Sequence, residues 1–160
     1  MTDIKTIYTL GTSTRSTEDF FSLLEAYKIN CITDVRRFPK SRKYPHFNSD
    51  NLEAEAKNRN LLYKWHGDLL GGYRSGGYET YMVETSFQKG LQEVEHLAKE
   101  ISTVLFCAER LPWKCHRFKI AHKLTERGWN VVHIIERDRI WQPNDGGKEI
   151  PSIHNRVIDS

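Results

Sequence analysis

One stretch constrains the fold more than any other. The run Ile101-Ser102-Thr103-Val104-Leu105-Phe106 is apolar and β-branched, it ends in Cys107 and Glu109, and a Pro-containing loop leads to Cys115-His116-Arg117, which opens an amphipathic segment. That order predicts a strand, a turn and a helix start. In an open α/β sheet such a junction lies at the carboxyl edge, where ligands bind. The stretch therefore marks a site as well as a fold.

The rest of the chain repeats the pattern. Strand-like runs cover Lys5–Leu10, Ile29–Val35, Leu61–Trp65 and Trp129–Ile135, and helical spacing separates them. The first run closes at Gly11 and is expected to be central. Ser16 or Thr17 is the expected cap of the helix that follows, with acidic residues in its first turn. Ser49 is the expected cap of a helix over 50–60, Tyr78 to Val83 a short helix, Phe87 to Lys99 a longer one, and Arg117 to Arg127 the last, stopped by Gly128. Strand, helix, strand implies right-handed parallel crossovers. The expectation is a three-layer α/β/α domain with a largely parallel sheet of about five strands.

Its predicted extent is residues 1–137, a single α/β domain; residues 138–160 carry Pro143, Gly146, Gly147 and Pro151 without apolar periodicity and are expected to be a loosely structured C-terminal tail. With 160 residues the chain can bury a core as one domain. No run approaches the roughly 20 apolar residues of a membrane span, and the N-terminus lacks the apolar core of a signal peptide. No membrane partner is expected. Three cysteines cannot pair completely, so Cys31, Cys107 and Cys115 read as thiols in a reducing compartment, the cytoplasm. A net charge of +3 permits an anionic partner without demanding one.

Two loops supply further candidates. Asp34-Val35-Arg36 runs into Arg37, Phe38, Pro39, Lys40, Ser41, Arg42, Lys43 and Tyr44, a basic and aromatic loop leaving a strand end. Arg36 is nearest that end and, with Asp34, is the loop's best candidate for lining a pocket. Gly67 to Tyr78 holds five of the ten glycines and reads as a lid or a binding loop, presenting Tyr73. The turn after Gly11, with Thr12, Ser13 and Thr14, offers backbone N–H groups to an anion but lacks the Gly-Lys-Ser/Thr element of a Walker loop.

Taken together, Thr9-Leu10-Gly11-Thr12-Ser13, Asp34-Val35-Arg36 with Pro39 and Ser41, Leu69-Leu70-Gly71-Gly72, Phe106-Cys107-Ala108-Glu109 and Cys115-His116-Arg117 resemble the domain-of-unknown-function family 488. The resemblance runs over most of residues 5 to 136 and implies an α/β fold, but no activity. The chain departs from the pattern at Thr12-Ser13-Thr14, where many members have a small residue followed by His and Ser. No histidine role carries over to that turn.

The residues themselves point to three chemistries. A cysteine at a helix start beside Lys114, His116 and Arg117 has features that lower a thiol pKa, so Cys115 is the candidate nucleophile, with Glu109, His116 or His133 as acid or base. Ser13, Arg36, Arg117, Cys107 and Tyr73 are the candidate substrate-binding residues, for an anionic small molecule or nucleotide. This thiol-dependent hydrolase or transferase is favoured over a binding module. A cysteine phosphatase loop fits poorly, because Cys115 to Arg117 is too short for it and Cys107 to Arg117 too long. A metal site from Cys107, Cys115 and His116, with Glu109, is the second chemistry. Nucleic-acid binding by the basic loop with Phe38, Tyr44, Tyr73 and Tyr78 is the third. The sequence indicates no particular cofactor. A Glu109–Arg117 ion pair is the bland alternative for those two residues, and buried thiols that for Cys31 and Cys107.

Overall fold

Short apolar strands too buried to need alternation make a mostly parallel sheet. A computed structural model describes residues 5–142 together with the backbone of 156–157. The strands are β1 (Thr6–Gly11), β2 (Cys31–Asp34), β3 (Leu62–Trp65), β4 (Thr103–Cys107), β5 (Asn130–Glu136), β6 (Arg139–Trp141) and β7 (Arg156–Val157). They form one sheet in the order β3-β2-β4-β1-β5-β6-β7. The first five are parallel, and β6 and β7 are antiparallel additions at one edge. The predicted strands are all present, and β1 is central as expected. Residues 139–141, expected in the loose tail, are instead paired with β5; the tail residues 143–155 and 158–160 lie outside the described residues.

The helices are α1 (Thr17–Ala26), α2 (Ser49–Asn58), α3 (Gly67–Leu70), α4 (Tyr78–Tyr81), α5 (Thr85–Glu100) and α6 (His116–Glu126). Ser16 caps α1, its Oγ accepting from the Asp19 N–H at 3.0 Å. Asn48, not Ser49, stands at the N-cap of α2, and its Oδ1 accepts from the Ser41 N–H at 2.6 Å, tying down the basic loop instead of the helix. Gly128 follows α6 at φ +100°, a conformation that suits glycine. No described helix is long and apolar enough to cross a membrane.

Two apolar layers enclose the sheet. On one face Phe20 and Leu24 of α1 and Leu52 and Ala56 of α2 pack on Leu10, Ile32, Val104 and Phe106. The ring of Phe20 meets those of Phe21, Phe47 and Phe106 at centroid distances of 5.2, 5.2 and 5.4 Å. Such pairs add about 0.5–1.5 kcal/mol each beyond area burial. On the other face Phe87, Leu91 and Val94 of α5 and Ile120, Ala121 and Leu124 of α6 pack on Ile7, Val35, Leu105, Cys107 and Val131. The domain is a three-layer α/β/α sandwich.

This arrangement fixes where a ligand can sit. Strand β4 lies between β2 and β1, whose following helices cover one face, while the helix after β4 covers the other. A crevice opens at the carboxyl ends of such strands, the topological switch point.

Candidate functional site

The crevice is a cavity of about 750 Å³. The end of β4 (Cys107, Ala108, Glu109), the start of α6 (Lys114, Cys115, His116), the loop after β2 (Arg36, Arg37, Phe38, Lys40) and the glycine-rich segment (Gly72, Tyr73, Tyr78) line it. The junction of strand, turn and helix that dominates the sequence thus forms one wall.

At the floor the Sγ atoms of Cys107 and Cys115 are 2.8 Å apart, both free thiols. Cys115 is the N-cap of α6, and its sulfur accepts the Arg117 N–H at 3.4 Å. The helix start thereby favours negative charge on that sulfur. Imidazole geometry adds a second device. His116 Nε2 lies 2.8 Å from the Val35 carbonyl oxygen, which can only accept, so Nε2 carries the hydrogen. In the neutral ring Nδ1 then has its lone pair free, and it lies 3.6 Å from Cys115 Sγ. Burial holds the His116 pKa below its ordinary value, outweighing the Val35 hydrogen bond, and the Arg117 and Arg74 charges add to the effect. The imidazole rests as a base aimed at a thiol.

Arg117, in the first turn of α6, is buried next to the site. It is 0% exposed, its Nη2 donates to the Arg110 carbonyl at 3.3 Å, and its Nε and Nη1 have no partner among the described residues. A buried guanidinium without a carboxylate calls for another anion. Its charge acts on the two thiols. Burial pushes the Cys107 thiol up, but its hydrogen bond with Cys115 and the Arg117 charge outweigh it and bring it to about 7. Cys115 is pushed up, first by its hydrogen bond with Cys107 and then by burial; either sulfur can be the donor across that contact, so the two share one hydrogen. The pair therefore loses one proton near neutrality and keeps the second, and both steps belong to the two sulfurs jointly. His133, a further titratable neighbour of Arg117, stays neutral: burial and then the Arg117 charge hold its pKa well down, and its Nδ1 sits 2.6 Å from Thr9 Oγ1.

Several expected site residues do other work. Arg36 lines the wall, but its guanidinium is bidentate to Asp34 (Nε–Oδ1 2.9 Å, Nη2–Oδ2 2.8 Å), donates to the Phe47 carbonyl and lies over the Phe106 ring at 4.5 Å. Its charge is neutralised in place. Ser13 does not reach the cavity: at φ +49° it donates its N–H to the Ala108 carbonyl at 2.8 Å, as Thr12 does to Cys107 at 2.9 Å. Those N–H groups hold the end of β4 and are closed to an anion. Arg117 is below the cavity and does not line it, and no bond joins it to Glu109, so the expected ion pair is absent. Glu109 is exposed on the rim. Among the described residues no group of three or more His, Cys, Asp or Glu side chains converges on a metal position. His116 faces Val35 and Cys115 in turn, and Glu109 points to the rim.

The cavity's open cations are Arg37 and Lys40 of the basic loop and Lys114 beside Cys115, none of which was among the expected substrate-binding residues. The Asp34-x-Arg36 spacing was the available signal, since residues two apart on an extended chain share a side and can pair. Tyr73, 86% exposed, sits beside Phe38, 65% exposed, with ring centroids 5.8 Å apart at the rim. The glycine-rich segment is not a free lid. Arg74 donates to the carbonyls of Gly71 and Asp68 at 2.8 and 2.6 Å, Tyr78 and Tyr81 donate to those of Leu70 and Leu69, and Arg37 donates to that of Tyr73.

Fold and cavity define a doubly wound α/β protein with a two-thiol, cation-rimmed site at its switch point. The chain belongs to the family described as Domain of unknown function DUF488, whose model matches residues 16–124, about two thirds of the sequence. The match takes in both cysteines of the site, His116, the basic loop and the glycine-rich segment. Comparison with curated proteins and with solved structures gives no match.

Proposed function

We propose that the protein is a thiol-dependent enzyme, a transferase or hydrolase acting on an anionic, phosphate- or nucleotide-like substrate. One observation carries this reading: Cys115 Sγ lies between the Arg117 N–H at 3.4 Å and the unprotonated Nδ1 of His116 at 3.6 Å, in a cavity with three open cations. A nucleophile, its base and a third group that orients the base are the parts covalent catalysis needs.

In this mechanism Arg37, Lys40 and Lys114 bind the anionic groups, and Phe38 with Tyr73 covers a planar part of the substrate. His116 Nδ1 takes the Cys115 proton. The thiolate attacks the electrophilic centre, a bond to Cys115 Sγ forms, and the imidazolium returns the proton to the leaving group. Water or a second acceptor then releases the bound group. Glu109, at the rim, is placed to meet the acceptor. Such chemistry fits a reducing compartment, the cytoplasm, where the thiols stay free.

The reading is tested by alkylating the native protein with iodoacetate and iodoacetamide, each rate taken relative to a small free thiol. Selective reaction at Cys115, with the anionic reagent favoured and the preference lost on adding salt, is expected. Equal relative rates would remove the anion-binding part, and an inert Cys115 the whole.

A second reading follows from the surface. A neighbouring cleft shares Arg37, Phe38 and Lys40 with the cavity and continues to Lys64 and Trp65, which is 43% exposed. Rings beside cations suit single-stranded nucleic acid. Asp50 and Glu53 line the same cleft and oppose it. Binding of a uridine homopolymer that weakens steeply with salt would favour this reading.

A further inference from the structure

A hydrolase or simple transferase needs one nucleophilic sulfur, and this cavity has two in contact. Cys107 closes β4, Cys115 caps α6, and seven loop residues between them fold back so that the sulfurs meet at 2.8 Å. Rigid parts hold them there. Thr12 and Ser13 hold the β4 end through the carbonyls of Cys107 and Ala108, and the Cys115 N–H donates to the Pro112 carbonyl at 3.1 Å. Gly11 lets the loop pass: a Cβ there would stand 1.8 Å from the Glu109 carbonyl oxygen.

The two thiols differ in access. Cys115 is half-buried at the cavity, whereas Cys107 is 2% exposed behind it. A solute meets Cys115 first, and whatever becomes attached to that sulfur has Cys107 as its nearest nucleophile. Arg117, buried and short of partners, has a charge that favours the thiolate on either one.

From this juxtaposition we infer that the site performs thiol–disulfide exchange on an anionic low-molecular-weight disulfide, with Cys115 as the attacking thiol and Cys107 as the resolving thiol. The inference rests on the reading of Cys115 as the attacking thiolate and names a substrate class for it. In the first step the Cys115 thiolate attacks one sulfur of R–S–S–R. A Cys115–S bond forms, the substrate S–S bond breaks, and the departing thiolate takes the proton held by His116. In the second step Cys107 attacks Cys115 Sγ, the Cys107–Cys115 bond forms, the mixed disulfide breaks, and the Cys107 proton ends on the second departing thiolate. One substrate disulfide is reduced to two thiols and the two protein thiols are oxidised to a disulfide. A small thiol runs both steps backwards and restores the dithiol. Arg37, Lys40 and Lys114 select disulfides that carry carboxylates or phosphates.

The experiment uses the reduced full-length protein with glutathione disulfide as the anionic probe and hydroxyethyl disulfide as the neutral one, read by intact mass and by non-reducing peptide mapping. The wild type is expected to end with Cys107 and Cys115 linked, releasing both glutathione moieties. Cys107→Ser and Cys107→Ala, with folding checked by circular dichroism, are expected to stop with glutathione on Cys115. The neutral probe is expected to react about tenfold more slowly relative to a free thiol. A wild type that stops at the Cys115 mixed disulfide overturns the resolving role and leaves the attacking thiolate standing. An unmodified Cys115 in wild type and variants overturns both.

Discussion

The Nε2–H of His116 donates to the Val35 carbonyl oxygen at 2.8 Å, and this bond turns Nδ1 toward Cys115 Sγ at 3.6 Å. Val35 directly follows the last residue of β2, so a strand end sets the tautomer of a ring on the first turn of α6. A backbone acceptor cannot be removed by substitution, which leaves the imidazole itself as the handle. His116→Ala is expected to lower turnover by about 10²-fold or more and to slow Cys115 alkylation near neutral pH, with little change in Tm. Kinetics beside a thermal melt measure both, and an unchanged alkylation rate would remove His116 from the proton path.

Arg117 gives a prediction of opposite character. Without a carboxylate to pair, its guanidinium is balanced by the cysteine pair, so Arg117→Met is expected to raise the first ionisation of that pair toward the ordinary thiol value of about 8.5 while the protein stays folded. Thiolate absorbance near 240 nm followed through a pH titration reads the shift. A collapse in thermal stability with no change in the titration of the remaining folded protein would make Arg117 a purely structural residue.

The same groups set the pH dependence of stability. Cys107 ionises at about 7 in the folded protein against an ordinary 9.0, so its contribution is present above pH 9 and is lost as pH falls through 7. Cys115 is raised, so its contribution is present below its ordinary 9.0 and is lost at higher pH. Their sum peaks near pH 9, and Cys107→Ala is expected to flatten the rise in stability between pH 7 and 9 seen in denaturant melts. His116, His133 and His66 are all held below 6.5, chiefly by burial. The unfolded chain binds their protons more readily, so stability falls as pH drops below 6.5.

Gly11 ties the fold to the site. Its Cα hydrogen stands where a Cβ would meet the Glu109 carbonyl at 1.8 Å and the Arg110 Cα at 2.9 Å, both backbone atoms that cannot swing aside. Gly11→Ala is expected to cost about 1–3 kcal/mol and to slow Cys115 alkylation by shifting the loop that seats it. A melt and an alkylation rate on the same sample check both halves. Loss of stability with unchanged reactivity would separate the β1 end from the site.

Much of this architecture was legible in the sequence, for a physical reason. Parallel strands buried on both faces are continuous apolar runs, and Ile7 to Leu10, Ile32, Val104 to Phe106 and Val131 to Ile135 announce themselves that way. The position of Cys115 was legible as well, because a helix start after a Pro-containing turn has a local signature. What stayed hidden depends on partners distant in sequence. Arg15 seals β1 to β5 through the Gly11 and Ile135 carbonyls, and Arg36 is neutralised by Asp34 and held by the Phe47 carbonyl. The glycine-rich segment looks free in sequence because side chains donating to its carbonyls leave no periodic trace. Strand β6 is too short to show a pattern of its own and exists by pairing with β5.

The cations of the rim make a prediction about selectivity. Lys40 and Lys114 form no ion pair among the described residues and face the cavity with Arg37, so Lys40→Gln with Lys114→Gln is expected to lower the preference of Cys115 for iodoacetate over iodoacetamide several-fold. Rates in the doubly substituted protein, at low and high salt, are the measurement. An unchanged preference would place the anion-binding groups elsewhere.

The most direct test of the central claim is alkylation of the native wild-type protein across pH, with each modified cysteine identified by mass spectrometry. The account predicts that Cys115 is modified faster than a free thiol, while Cys31 and Cys107, both buried, stay protected. A Cys115 that remains inert until the protein unfolds, or that reacts no faster than a free thiol, would contradict it.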